Sequence, residues 1–257
     1  MRARWLAAVY LILGIGLAAV LTAPPRGAWG RDLLLFGVPV LVSGAALALL
    51  GSGLWRPHQP SGRSWPRLLA IGGAVLVCDL APIGIGYALG WVTFTWGDQR
   101  LEATKLWLPL WLPLCIAAGI WGWELGLRRG LYRAWAARGS AWVAGGISAL
   151  AGVALALVFL LPGLEVTDPA FASAALATVG AREVLFVLFY RASGLLAAGI
   201  LRGFLIFVDA FAINDWFSAF FPMANYVSSE PIFYLLRASG PLAGLAIAAW
   251  GLSGRAA

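Results

Sequence analysis

The sequence predicts an all-α fold: a polytopic bundle of about eight transmembrane helices forming a single integral membrane domain over residues 1–257. Three observations predict it. The first is composition. Hydrophobic residues make up 61% of the chain and charged residues 11%, where a soluble domain is about 45–50% apolar and about 25% charged. The mean hydropathy is +0.87. There is too little charge to coat a water-soluble globule, so a soluble enzyme, a disordered tail and a disulfide scaffold are excluded. The second is run length. A bilayer core of about 30 Å needs about 20 apolar residues per helix, and apolar runs lie near 5–22, 33–54, 68–91, 106–124, 140–162, 173–190, 193–213 and 231–251. The third is the placement of charge.

The first run is followed by further helices and reads as a signal anchor, not a cleaved leader. The stretch Gly51–Arg67 is the clearest polar connector. With the N-terminus in the cytoplasm, the inner segments carry Arg2, Arg4, Arg56, Arg63, Arg67, Arg128, Arg129, Arg133, Arg138, Arg191 and Arg255, which is 11 bases and no acid. The outer segments carry Arg26, Arg31, Arg100 and Lys105 against Asp32, Asp98, Glu102, Glu165, Asp168, Asp215 and Glu230, 4 bases against 7 acids. This asymmetry follows the positive-inside rule and places both termini in the cytoplasm. It also accounts for the net charge of +7 without nucleic acid as a partner. A seven-helix alternative merges 173–213 into one pass, buries Arg191 and moves the C-terminus outside. Many of the 14 tryptophans sit at run ends, among them Trp5, Trp55, Trp65, Trp91, Trp107, Trp135 and Trp216, as interfacial belts require.

Cys78 and Cys115 both lie in apolar stretches and read as buried thiols rather than a disulfide. His58 is the single histidine, and it lies in a polar loop. A metal site built on several histidines and a bis-histidine haem are therefore excluded. No phosphate-binding glycine loop or nucleophile elbow occurs, and the expected cofactor and metal content is none.

Ionisable groups at membrane depth are expensive and need partners or a polar interior. Seven stand out: Asp79, Glu124, Arg182, Glu183, Arg202, Asp209 and Arg237. Arg202 and Asp209 share a helix face two turns apart, so each should meet another helix. Glu124 and Arg128 have the favourable i,i+4 order for an ion pair at a helix end; the functional alternative is a carboxylate facing a cavity. Arg182 and Glu183 are adjacent and need separate partners. Asp79 precedes Pro82 at an expected helix break, where its carboxylate either exchanges protons or cations or caps a freed backbone N–H. Arg237 either snorkels or pairs with Glu230. The spacings Gly86-x-x-x-Gly90, Gly122-x-x-x-Gly126 and Gly240-x-x-x-Gly244 read as close helix packing.

Glu124-Leu-Gly-Leu-Arg128 followed by Gly130-Leu131-Tyr132-Arg133 resembles the first motif of the CPBP (CAAX protease and bacteriocin-processing, or Abi) intramembrane proteases, which is two adjacent glutamates, three residues, then arginine. Ser148–Pro162 is similar to the helix of the second motif, and Val184–Ile206 to the region of the third. The resemblance covers roughly residues 120–210. The departures are chemical. Trp123 stands where the first glutamate belongs. The second-motif histidine falls near Ala156 or Gly163, and the third-motif histidine and asparagine positions are Arg202 and Ile206. In that family the glutamates and histidines activate water, which needs a base or a metal hydroxide. The resemblance therefore implies a proteolytically inactive, re-purposed member, with Glu124 and Arg128 as a motif remnant; an active one would be a CAAX-type endopeptidase.

The expected role is a membrane-segment- or lipid-binding or scaffold subunit of a complex in a bacterial inner membrane. Its partners would be the lipid bilayer and other membrane subunits. The alternative is a small transporter or permease. The candidate cavity residues are Glu124, Arg128, Arg202, Asp209, Asp79 and Glu183, with a Glu124–Arg202 pair available.

Overall fold

Hydropathy places helices but does not say how they turn or what ends them. The computed structural model describes residues 65–96, 116, 118–137, 139–160, 169–208, 213–214, 224–228 and 232–253. The runs at 5–22 and 33–54, both termini, and the residues His58, Asp209 and Glu230 lie outside the described residues.

Six helical rods make up nearly all of the described chain. Helix α1 spans Trp65–Ala88. A π-helix, Ala118–Tyr132, runs directly into the single turn α2, Arg133–Ala136. Then follow α3 (Ala141–Leu160), α4 (Pro169–Ser193), α5 (Leu195–Phe207) and α6 (Ile232–Ser253). Among the described residues three segments are long and apolar enough to cross a membrane: α1, Ala172–Ser193 of α4, and α6. Large apolar side chains point outward along them, including Leu69, Val77 and Ile85 on α1 and Leu235, Leu242 and Trp250 on α6. Water penalises such a surface and lipid does not.

Helices α1 and α6 run antiparallel on a seam of small residues. Gly240 faces Pro82 and the Cys78 carbonyl, Gly244 faces Val75, and Gly251 faces Ile71. Pro82 does not break α1 as expected; the helix continues through it to Ala88. Proline removes the N–H that would bond the carbonyl four residues earlier, which here is Cys78. The missing Cβ of Gly240 lets α6 approach that freed carbonyl closely.

The merged pass over 173–213 is excluded. Glu183 and Arg202 would be about 28 Å apart on one straight helix, yet their side chains bond at 2.7 Å. The chain therefore reverses between α4 and α5. It does so at Gly194, whose φ of +84° is a conformation that costs glycine little.

Two further corrections concern local structure. Arg128 counts among the inner-segment bases and as the partner of Glu124 at a helix end, but the helix continues past it to Ala136 and leaves it 0% exposed. A hydropathy window averages over the arginines at 128, 129 and 133 and so ends the helix early. The all-α expectation also misses a small sheet of order β1-β3-β2. Strand β1 (Val92–Trp96) pairs antiparallel with β3 (Ala224–Ser228), Val92 opposite Ser228 and Trp96 opposite Ala224. The short β2 (Ile213–Asn214) joins β3 in parallel. The β-branched and aromatic run Val-Thr-Phe-Thr-Trp suits a strand, and the sheet sits where α1 ends and α6 begins.

Helix α4 is the central element. It packs on α6, α3 and α5, and its Arg182 reaches α1 through Asp79. One core cluster joins Leu68, Val75, Leu185, Phe189, Leu201 and Leu252. A second joins Trp123, Leu127 and Leu131 to Ala151, Leu155 and Val179.

Candidate functional site: two buried charge clusters

Adjacent residues on a helix point about 100° apart. On α4 that divergence sends Arg182 and Glu183 to different neighbours, and each side chain becomes part of its own buried cluster.

The larger cluster gathers Glu124 and Arg128 from the π-helix, Ser148 from α3, Glu183 from α4 and Arg202 from α5. Arg202 Nε donates to Glu124 Oε1 at 2.7 Å. Its Nη2 donates to both carboxylate oxygens of Glu183, at 2.7 and 2.8 Å. Arg128 Nη2 donates to Glu183 Oε2 at 2.6 Å and to the Glu183 backbone carbonyl at 3.1 Å. Arg128 Nη1 donates to the Ser148 hydroxyl at 2.7 Å and to the Ser148 carbonyl at 2.9 Å. The Ser148 hydroxyl in turn donates to the Leu127 carbonyl at 2.7 Å. Glu124 Oε2 and Arg128 Nε lie 3.3 Å apart without the alignment of a hydrogen bond, so this i,i+4 contact is Coulombic. The quartet of two carboxylates and two guanidinium groups is electrically neutral.

Packing completes it. The Arg202 guanidinium lies 4.0 Å from the Phe186 ring centroid and 4.9 Å from that of Trp123, as cation–π contacts require. Trp123 and Phe186 thus both support the Arg202 guanidinium. Gly152 on α3 makes room for the Glu183 carboxylate, which would collide with a Cβ there.

The smaller cluster joins Asp79 of α1, Arg182 of α4 and Arg237 of α6. Arg182 Nη2 donates to Asp79 Oδ2 at 2.6 Å and its Nε to Oδ1 at 3.4 Å. Arg237 Nη1 donates to the Asp79 backbone carbonyl at 2.8 Å and its Nη2 to Oδ2 at 3.3 Å. Both arginines make further contacts as well. Asp79 therefore caps no freed N–H, and Arg237 is tied to α1.

Of the candidate residues, Glu124, Arg128, Glu183 and Arg202 converge and Asp79 belongs to the separate cluster. Asp209 lies outside the described residues. The Glu124 carboxylate meets guanidinium groups and is 0% exposed. Ser148 and Gly152 were missed. A lone serine or glycine in an apolar helix is too common to single out, and only the arrival of charged neighbours gives either a role. Among the described residues no three His, Cys, Asp or Glu side chains are grouped to hold a metal.

Chemically, the arrangement locks helices. Each guanidinium bridges at least two elements with charge-assisted hydrogen bonds, the stronger class of such bonds. The carboxylate oxygens point at cations rather than at a space where water could be activated. The chain matches no protein-family model, no curated protein and no solved structure.

Proposed function

We propose that this chain is a multi-pass protein of a bacterial inner membrane, with about eight helices and both termini cytoplasmic. It derives from a CPBP-type intramembrane protease core that has lost hydrolysis and serves as a scaffold or membrane-segment-binding subunit of a membrane complex. The observation that carries this reading is the Glu124–Arg202 bond at 2.7 Å. In a hydrolase of that type this position would offer a neutral or titrating base beside a carboxylate. A guanidinium stays protonated and has no acceptor, so it cannot take a proton from water, and it occupies the carboxylate that would otherwise help.

The transporter alternative needs carboxylates that exchange ions or protons. Asp79, Glu124 and Glu183 each contact two arginines instead, which favours the scaffold.

The test is hydrolysis of a prenylated CAAX peptide and of a hydrophobic peptide by the purified full chain in detergent micelles. The expected rate equals that of empty micelles. Cleavage that disappears in Glu124→Ala would sink the proposal. Affinity purification from native membranes is expected to bring down a membrane protein in fixed stoichiometry, and a chain that purifies alone at all detergent strengths counts against the scaffold role.

A further inference from the structure

We infer that the corner where the π-helix, α3 and α4 meet binds an anionic phospholipid, its phosphate among arginines and one acyl chain along α3. This rests on the membrane reading above but not on the loss of hydrolysis.

The corner is well defined. The rings of Tyr132 and Tyr190 meet edge-on, centroids 5.4 Å apart. Gly145 of α3 faces Val187 and Tyr132. Arg133 bonds to Tyr190, and Arg129, one turn earlier, lies close enough to act on the same hydroxyl. Arg191, next in sequence, stacks over Trp142 at 4.4 Å from the ring centroid. Three half-buried guanidinium groups thus frame one end of the bundle. The carboxylates of the described residues, Asp79, Glu124 and Glu183, all lie in the buried clusters. The α3 N-terminus, where Ser140 accepts from the Trp142 N–H at 3.2 Å, adds the positive end of a helix dipole.

The ligand must be amphipathic because the surface is. Below the arginines α3 exposes Trp142, Val143 and Leu150. Between them Gly146 carries no side chain and a Cβ there would meet nothing within 4 Å, so an acyl chain can lie against the helix. Guanidinium forks match phosphate oxygens, and tryptophan favours headgroup level. A soluble phosphate would use the arginines and leave the apolar stripe idle.

The experiment is native mass spectrometry of the full chain, released from neutral detergent with equimolar phosphatidylglycerol and phosphatidylcholine. The expected result is retention of phosphatidylglycerol with a preference of about tenfold or more. Arg129→Gln/Arg191→Gln should abolish the preference, while Arg67→Gln, which alters an arginine tied to Gly251, should keep it. Equal retention of both lipids overturns the proposal, as does equal loss in R67Q, which would mark general basicity. Displacement of the lipid by millimolar inorganic phosphate without lipid preference overturns the lipid assignment. If the double variant is not monodisperse, R191Q alone carries the test, with at least a threefold fall expected and an unchanged preference overturning it. A chain that cleaves peptide yet keeps the preference refutes only the loss of hydrolysis.

Discussion

The two charge clusters meet α4 at adjacent residues about 100° apart and solve the same problem differently. The Glu124–Arg128–Glu183–Arg202 quartet balances its charges internally and gives each carboxylate two arginines. The Asp79–Arg182–Arg237 triad has two guanidinium groups on one carboxylate and reaches onward through its arginines to further contacts. A closed network fails as a unit when one member is lost. A branched one redistributes. The quartet takes its members from three elements and reaches a fourth through Arg128 and Ser148, so it fixes the mutual register of the π-helix, α3, α4 and α5, whereas the triad ties α1 and α6 to α4 beside a seam that glycines already hold.

The largest expected effect therefore lies in the quartet. Arg202→Met leaves two buried carboxylates short of a cation, and breaking a buried pair in this way costs about 3–5 kcal/mol. Thermal unfolding of the purified variant in detergent should show a large fall in midpoint or no monodisperse protein. Asp79→Asn in the triad should cost less, at the low end of that range, because the amide oxygen still accepts from the arginines and both arginines keep further contacts. An Asp79→Asn loss as large as that of Arg202→Met would erase the distinction between closed and branched networks. Gly152→Ala comes next. Its methyl group collides with Glu183, and overpacking of this kind costs about 1–3 kcal/mol; combining it with Glu183→Gln should give strongly non-additive midpoints. Ser148→Ala removes one bridging hydroxyl and should cost about 1 kcal/mol, and an effect as large as that of R202M would mean that the hydroxyl, not the charge balance, organises the quartet.

Much of this was legible because charge is scarce in an apolar chain. Arg202 needed a partner on another helix, the adjacent Arg182 and Glu183 needed separate ones, and a Glu124–Arg202 pair was available. The structure forms each of these contacts. For Arg128 the spacing offered Glu124 and a cavity position, but its partners Glu183 and Ser148 were not legible, since both lie on other helices and only tertiary contact brings them to it. Asp79 misled because a carboxylate before a proline suggests a broken helix. Pro82 instead sits within an intact one, and the partner Arg237 is 158 residues away. The sheet was hidden for the same reason, because β1 and β3 are distant in sequence and each is too short to announce itself.

The divergence of Arg182 and Glu183 on α4 has a consequence for how this chain can vary. Inserting or deleting one residue on the N-terminal side of this dipeptide leaves its own order intact but rotates it against the α4 positions before it. A slip of α4 itself by one position would bring either the carboxylate round toward Asp79 or, in the other direction, the guanidinium toward Arg128 and Arg202, setting like charges against each other in one cluster and leaving the other short of its partner. Length changes in α4 are thus barred by charge as well as by packing. Relatives of this chain should vary freely in the length of their connecting loops while keeping a basic–acidic dipeptide at a fixed distance from the glycine turn that follows it.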